Sequence, residues 1–232
     1  MYRSQLTYHR SAEHLSKTGK KIETAKSQPI SKYKMVNRML FLDTETTGLP
    51  KFRGVNALDR QNNWPDIVSV AWLTYENGVL VNSNYSVIKP EWPIPEESIK
   101  IHGITQDYAT EKGQPLIKVL NDLGADLAKA DYVVAHNLEF DKNVLFNAYK
   151  WRLDINPWLI WPQNEICTME RARNELKLPS NYRNSTQYKA PSLTELYKNT
   201  FNKEPENMHN SLNDTIALAD IYMRRWNNQM TT

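Results

Sequence analysis

The chain has 232 residues, of which 40% are hydrophobic and 24% charged, a composition typical of a soluble globular protein with one large domain or two small ones. No run approaches the ~18 consecutive apolar residues of a membrane span, so we expect no membrane association. The single cysteine, Cys167, excludes an internal disulfide framework and a cysteine-based zinc site.

The formal net charge of +3 is unevenly distributed along the chain. Residues 1–38 hold nine Lys and Arg against two acids, a net +7, so the remainder carries −4. Residues 1–35 also lack a sustained apolar period, and we interpret them as a flexible basic arm before a domain over residues 36–232. Such an arm could contact nucleic acid. The alternatives are a solvated tail, a transit peptide, or a start of translation at Met35.

Hydrophobic patterns predict an α/β domain from about residue 38 onward. Strands are predicted over residues 39–42, 67–75, 79–81, 84–89 and 132–135, with a hairpin turn at Asn77-Gly78. Helices are predicted over residues 114–129, 141–151, 169–176, 192–199 and 210–226. An antiparallel start followed by alternating strands and helices indicates a mixed sheet with helices on its faces. The apparent insertion at residues 51–65, the 51–65 segment, is polar with aromatic interruptions and has no assigned role.

Two carboxylates stand on the first predicted strand, in the run Leu42-Asp43-Thr44-Glu45-Thr46. Because side chains alternate along a strand, Asp43 and Glu45 point to the same face. Two like charges side by side destabilise a strand unless a cation neutralises them, and hard carboxylate oxygens suit Mg²⁺ or Mn²⁺. The alternative is a pair of solvated acids on a polar edge.

Two further acids stand near the beginnings of predicted helices. Asp141 follows a buried strand, at the sheet edge where the ligands of α/β proteins collect. Asp214 lies in the early turns of the last helix, just after His209 and two capping residues. Each has an ordinary alternative, a helix-start acid for Asp141 and a surface histidine near an unrelated acid for the other pair. His136 and Asn137 are expected to fix the strand-to-helix junction by hydrogen bonds.

Taken in order, three segments resemble the three exonuclease motifs of the DEDDh, or DnaQ-like, 3′–5′ exonuclease family. They are residues 42–49 (LDTETTGL), 136–141 (HNLEFD) and 209–214 (HNSLND). Residues 101–105 (IHGIT) resemble the family's link after the third strand, and 191–197 (PSLTELY) its helix before the third motif. The resemblance covers residues 38–226. It implies an α/β, ribonuclease H-like fold, whose mixed central sheet has antiparallel first strands and then parallel ones, flanked by helices.

The resemblance also implies a mechanism. Asp43, Glu45, Asp141 and Asp214 would hold two Mg²⁺ or Mn²⁺ ions, and His209 would be the general base that takes a proton from the attacking water. The expected reaction releases nucleoside monophosphates from single-stranded 3′ ends of DNA, in proofreading or repair, with a DNA polymerase as a partner and a cytoplasmic location. The alternatives are an exoribonuclease of the same family and a catalytically silent nucleic-acid-binding module.

Substrate contacts follow from the same resemblance. Thr46 and Leu49 would lie beside the terminal nucleotide, with Leu49 as an apolar surface for a base, because apolar contacts and stacking hold a strand whatever its sequence. His102, Glu97 and Ile101 would complete the pocket. The alternatives are ordinary packing for Leu49 and Ile101, and an internally bonded turn histidine for His102.

Overall fold

The computed structural model describes residues 37–180 and 186–227. This part of the chain contains five strands and seven α-helices, joined by loops. The strands are β1 (Arg38–Thr46), β2 (Ile67–Glu76), β3 (Val79–Val87), β4 (Tyr132–Ala135) and β5 (Asn164–Cys167). The helices are α1 (Glu96–His102), α2 (Gln106–Lys112), α3 (Leu116–Leu127), α4 (Leu138–Leu153), α5 (Thr168–Leu176), α6 (Leu193–Phe201) and α7 (Ser211–Arg225). Within these ranges, no helix combines the length and the apolar character needed to cross a membrane. The expected basic arm lies outside the described residues.

The strands form one mixed sheet in the order β3-β2-β1-β4-β5. β2 pairs antiparallel with both β1 and β3, whereas β4 runs parallel to both β1 and β5. Asn77 and Gly78 have φ values of 51° and 82°, and positive φ at both positions is what a two-residue type I′ hairpin requires. The predicted α/β fold, with antiparallel first strands followed by parallel ones and helices on both faces, is confirmed.

Side-chain alternation along β1 divides the core into two layers. Leu40 and Leu42 pack with residues of α3 and α4, whereas Met39 and Phe41 pack with residues of α6 and α7. All four side chains are at most 4% exposed, so β1 is covered on both faces as far as Leu42. Beyond that residue the same alternation continues with polar side chains, which are thereby directed to defined faces at the end of the strand.

Three elements of the structure were not predicted from the sequence: β5, α1 and α2. β5 has the sequence NEIC, with two exposed residues and no apolar run, and it forms by pairing with β4. The helices α1 and α2 have seven residues each, too few for a helical period to stand out. Residues 101–105, which resemble the family's link after the third strand, extend from the end of α1 to the residue that caps α2. They contain the end of α1, a left-handed Gly103 that terminates it, and Thr105, whose side chain caps α2.

The separate strands expected at 79–81 and 84–89 are one continuous strand, β3.

The 51–65 segment is a turn-rich loop held against α4. Ala57 is fully buried, and its carbonyl accepts hydrogen bonds from Asn147 Nδ2 at 3.2 Å and from Trp151 Nε1 at 2.9 Å. Asn63, 1% exposed, bonds a backbone N–H and a backbone carbonyl within the segment. The loop is therefore fixed by side chains of α4 and by its own buried amide, without regular secondary structure.

Candidate active site

Two carboxylates project from the end of β1. Asp43 and Glu45 continue the face of Phe41, so they point towards the layer that contains α7. Both are partly buried. The pairing of β1 with β2 shifts register between Glu45 and Thr46, an irregularity of the kind that re-aims side chains at strand ends.

The beginning of α7 supplies a third carboxylate. Asn210 caps this helix, because its side-chain oxygen accepts from the backbone N–H groups of two first-turn residues. Asp214 then lies in the first turn and is 8% exposed. One oxygen each of Asp43, Glu45 and Asp214 lies within 4.8 Å of the others. Oδ1 of Asp214 is buried and has no hydrogen-bond partner within the described residues.

His209 immediately precedes the cap of α7 and is exposed. Its backbone adopts a left-handed φ of 65°, which for a residue other than glycine costs about 1–3 kcal/mol. This conformation accompanies a hydrogen bond from the backbone N–H of His209 to Oδ2 of Asp214, at 3.2 Å. The predicted base and the acid on α7 are therefore joined directly through the main chain.

Asp141 reaches the same region from the opposite layer, because it lies in the first turn of α4, directly after β4. It is 3% exposed, and its Oδ1 accepts from Thr44 twice, from the backbone N–H at 3.0 Å and from Oγ1 at 2.8 Å. Thr44 points away from Asp43 along β1, which explains why Asp141 stands apart from the three closest acids. Sequence reasoning missed Thr44, since a β-branched residue between two acids is an ordinary strand residue.

Burial raises the pKa of all four carboxyl groups, and repulsion from neighbouring acids adds to the rise for Asp43 and Glu45. For Asp43 the pKa lies well above its usual range, chiefly because of burial and then because of Asp141, Asp214 and Glu45. Burial, with repulsion from Asp214 and Asp141, raises the pKa of Glu45 to about 7. Burial raises the pKa of Asp141 to about 7 and that of Asp214 to about 6, the latter opposed by His209. Among the described residues, these four carboxyl groups therefore lack sufficient positive partners.

The residues expected beside the terminal nucleotide flank the end of β1. Thr46 is 9% exposed, and its Oγ1 donates to the carbonyl of Gly48 at 2.8 Å. Leu49 is 76% exposed, so most of its apolar side chain is left in solvent. Its exposure rules out the alternative in which Leu49 is a core residue.

The three candidates on α1 differ in accessibility. Glu97 and Ile101 are exposed, Ile101 to 60%, whereas His102 is only 7% exposed. Nδ1 of His102 accepts from the backbone N–H of Ile104 at 3.1 Å, burial lowers its pKa, and its Nε2 has no partner among the described residues. No hydrogen bond or ion pair found in residues 37–180 and 186–227 joins these three side chains to the carboxylates.

His136 has the structural position expected for it. Its Nε2 lies 3.0 Å from the carbonyl of Pro191, and its Nδ1 lies 3.0 Å from Oγ1 of Thr168. Burial lowers its pKa to about 4, so the neutral ring donates to the carbonyl and accepts from the hydroxyl. Asn137 contributes a left-handed φ of 70° and no capping hydrogen bond, contrary to the bond expected. His136 thus fixes the end of β4 against the beginning of α5.

The model of the RNase_T exonuclease family matches residues 40–222. The chain belongs to this exonuclease family and to its DnaQ-like 3′–5′ class, as the three motifs predicted. It is 28% identical over 189 residues to the DNA polymerase III subunit epsilon of Rickettsia conorii, covering 80% of this chain and 72% of that protein. The same subunit of Haemophilus influenzae is 28% identical over 193 residues, covering 81% of this chain and 66% of that protein.

Two solved structures are similar in fold. Escherichia coli exonuclease I in complex with a dT13 oligonucleotide has a TM-score of 0.64 at 17% identity, over 84% of this chain and 42% of that one. Exonuclease X in complex with 5′ overhanging duplex DNA has a TM-score of 0.53 at 23% identity, over 84% of this chain and 94% of that one. The chain thus spans less than half of exonuclease I, and at these identities the likeness concerns the fold alone.

Proposed function

We propose that the chain removes nucleoside monophosphates from the 3′ end of single-stranded DNA in a reaction that requires two divalent cations. The observation that carries this proposal is the convergence of Asp43, Glu45 and Asp214 within 4.8 Å, with a buried oxygen of Asp214 unpartnered in the described residues. Such a cluster is costly in a folded protein unless a ligand neutralises it, which points to a functional site.

The donor set fits Mg²⁺ or Mn²⁺. Asp43, Glu45, Asp141 and Asp214 offer only hard carboxylate oxygens, and Mg²⁺ binds through few such groups while it keeps several waters. When bound, the ions lower the pKa of water and stabilise the charge that develops on the phosphate and the leaving oxygen. Thr44 holds Asp141 in a fixed orientation through its two hydrogen bonds, which prepares that carboxylate for its role.

His209 is the proposed general base. An imidazole suits proton transfer near neutral pH, and His209 is exposed beside Asp214, where it can take the proton of the attacking water. Thr46 and the exposed Leu49 would receive the terminal nucleotide. Glu97, Ile101 and His102 would complete that pocket from α1. Because no hydrogen bond or ion pair of the described residues joins them to the carboxylates, they are proposed as contacts for the sugar or base, with no part in the chemistry.

The relatives favour DNA over RNA as the substrate. The proteins that match over four-fifths of this chain are subunits of DNA polymerase III, and a similar fold is found in exonuclease I in complex with a dT13 oligonucleotide. On this basis an association with a DNA polymerase, for proofreading, is part of the proposal.

Matched DNA and RNA oligonucleotides, single-stranded and duplex and labelled at either end, test the substrate and the polarity together. With Mg²⁺ present, we expect a ladder of shortened 5′-labelled DNA and immediate release of a mononucleotide from 3′-labelled DNA. Asp43→Asn is the matched inactive control. Preferential cleavage of RNA would show that RNA, and not DNA, is the substrate. If Asp43→Asn gave the same ladder of products as the unmodified chain, Asp43 would not belong to the active site.

A further inference from the structure

A cleft of about 360 Å³ opens between the 51–65 segment and α4. Its lining includes Thr47 and Leu49, which follow the carboxylates of β1 in the chain. It also includes Trp92, in the loop before α1, and Arg152 of α4. The cleft therefore continues from the place proposed for the terminal nucleotide, and its volume lies in the range of about 300–1,000 Å³ typical of ligand sites.

An exposed indole stands in this cleft. Trp92 is 57% exposed, and the guanidinium of Arg152 lies 5.9 Å from its ring centroid. Arg152 is itself held by ion pairs to Asp66 at 2.8 Å and Glu91 at 3.1 Å. The cation is thus fixed beside the ring, and a large part of the indole surface stays open. An open aromatic face next to a guanidinium is a stacking surface for a nucleobase.

The 51–65 segment adds positive charge and hydrogen-bonding groups to the cleft. Of its three basic side chains Lys51 lines the cleft, together with Arg152 of α4 and one acid, Asp66. Lys51 is exposed and lines the cleft, where it can meet a phosphate, and the amides of Gln61 and Asn62 line it as well. Positive charge, amides and an aromatic face together match single-stranded nucleic acid better than they match a protein, whose interface core is depleted of charge.

We propose that this cleft is a second nucleotide-binding subsite, which holds an unpaired nucleotide of the substrate strand upstream of the one being removed. The base would stack on Trp92 and the phosphate would pair with Lys51. The proposal rests on the proposed function for the identity of the strand. In this proposal the 51–65 segment helps to hold the DNA strand. Its hydrogen bonds to α4 favour this role, because a rigid loop loses little entropy on binding.

Binding of fluorescent thymidine oligonucleotides of increasing length tests the subsite. The measurement is fluorescence anisotropy with Mg²⁺ in the Asp43→Asn background, which prevents cleavage. Because one base stacked on an aromatic ring contributes roughly tenfold or more in affinity, Trp92→Ala should weaken binding of a dodecanucleotide by at least about tenfold. A thymidine mononucleotide, which occupies only the terminal site, should bind with unchanged affinity. Trp92→Phe, which keeps a stacking face, should restore most of the loss.

Two further variants separate the subsite from general effects. Lys51→Gln should lower the slope of log affinity against log salt by about 0.7, the value for one phosphate contact on a single strand. Val79→Ala removes a 65% exposed side chain at the opposite end of the sheet and should change nothing. An equal loss for mononucleotide and dodecanucleotide, or no loss with Trp92→Ala, overturns the subsite. Failure of the unmodified chain to cleave DNA that it binds in a length-dependent way would contradict the proposed function alone.

Discussion

The acids near the two ends of β1 have opposite surroundings, and Asp126 of α3 lies at the start of this strand, beside Arg38. Oδ2 of Asp126 accepts from Trp72 Nε1 at 2.8 Å and from Asn82 Nδ2 at 3.0 Å, and the guanidinium of Arg38 lies 3.9 Å from its Oδ1. This carboxylate is 14% exposed, and the chain itself supplies its donors and its cation. Asp126 therefore serves stability, because a buried charge with satisfied hydrogen bonds is tolerated within the folded chain.

At the other end of β1 the acids face one another. Asp43, Glu45 and Asp214 converge, their pKa values are raised, and one buried oxygen of Asp214 has no partner in the described part of the chain. The contrast shows that burial alone does not mark a functional acid. What distinguishes the site is an excess of negative charge among the described residues, which favours the binding of a cation.

Removal of divalent metal should have the largest effect on activity, and it tests most directly whether the acidic cluster differs from Asp126 in its need for a cation. With chelator present, strand shortening is expected to fall to background, because the carboxylates then repel the phosphate they are proposed to receive. Added Mg²⁺ or Mn²⁺ should restore the ladder on a denaturing gel. Cleavage that persists in chelator would mean that the acidic cluster is not a metal site.

Replacement of the proposed base comes next in size. His209→Asn should lower kcat by about 10²–10⁴-fold, the range for loss of a general base. Its pH–rate profile should lose the limb that reports that base, while Mn²⁺ binding is retained because the four carboxylates remain. A fall of less than tenfold, or an unchanged pH profile, would exclude His209 from proton transfer.

Replacement of Asp126 should lower the stability of the protein and leave its activity unchanged. Asp126→Ala leaves the donors of Trp72 and Asn82 without their partner, so the free energy of unfolding in urea should fall by about 1–3 kcal/mol with turnover unchanged. Asp122→Ala is the matched control. Its carboxylate pairs with Lys118 at 2.8 Å on an exposed face, where such a pair contributes about 0.5 kcal/mol or less. Equal destabilisation by the two substitutions would contradict the role given to Asp126.

The smallest expected effect concerns the stability of the metal-free chain at different pH values. Because the folded pKa is about 7 for Glu45 and about 6 for Asp214, above the ordinary values of about 4, the folded chain binds more protons than the unfolded chain between those limits. The contribution of these groups is complete below pH ~4 and is lost as pH rises through ~7.

Thermal unfolding in chelator checks this pH effect. Asp43→Asn removes one of the repelling charges, so its midpoint should exceed that of the unmodified chain by a margin that grows from pH ~5 to pH ~8. A margin that shrinks over this interval would show that the carboxylates are neutralised within the chain.

The sequence predicted the parts of the site that depend on local periodicity. A period of two placed Asp43 and Glu45 on one face of β1, and cap residues placed Asp214 at the beginning of α7. The hold of Thr44 on Asp141 could not be predicted, because it depends on the pairing of β1 with β4, some ninety residues away. The anchoring of Ala57 by Asn147 and Trp151 has the same long-range origin.

The parts of the fold that were missed also have a physical explanation. β5 has no apolar alternation of its own, and pairing with β4 determines its conformation. α1 is ended by the left-handed Gly103, and α2 is begun by Thr105, so local capping defines two helices whose hydrophobic pattern is too short to detect. Long buried strands and the amphipathic α3 and α7 gave the strongest periodic signals.

Calorimetric titration with Mn²⁺ tests the central claim most directly, because it measures cation binding by the acidic cluster without reference to any substrate. The account predicts two ions bound per chain near pH ~8, loss of at least one of them in Asp43→Asn, and unchanged binding in Asp126→Asn. Absence of Mn²⁺ binding, or equal binding by the unmodified chain and Asp43→Asn, would contradict it.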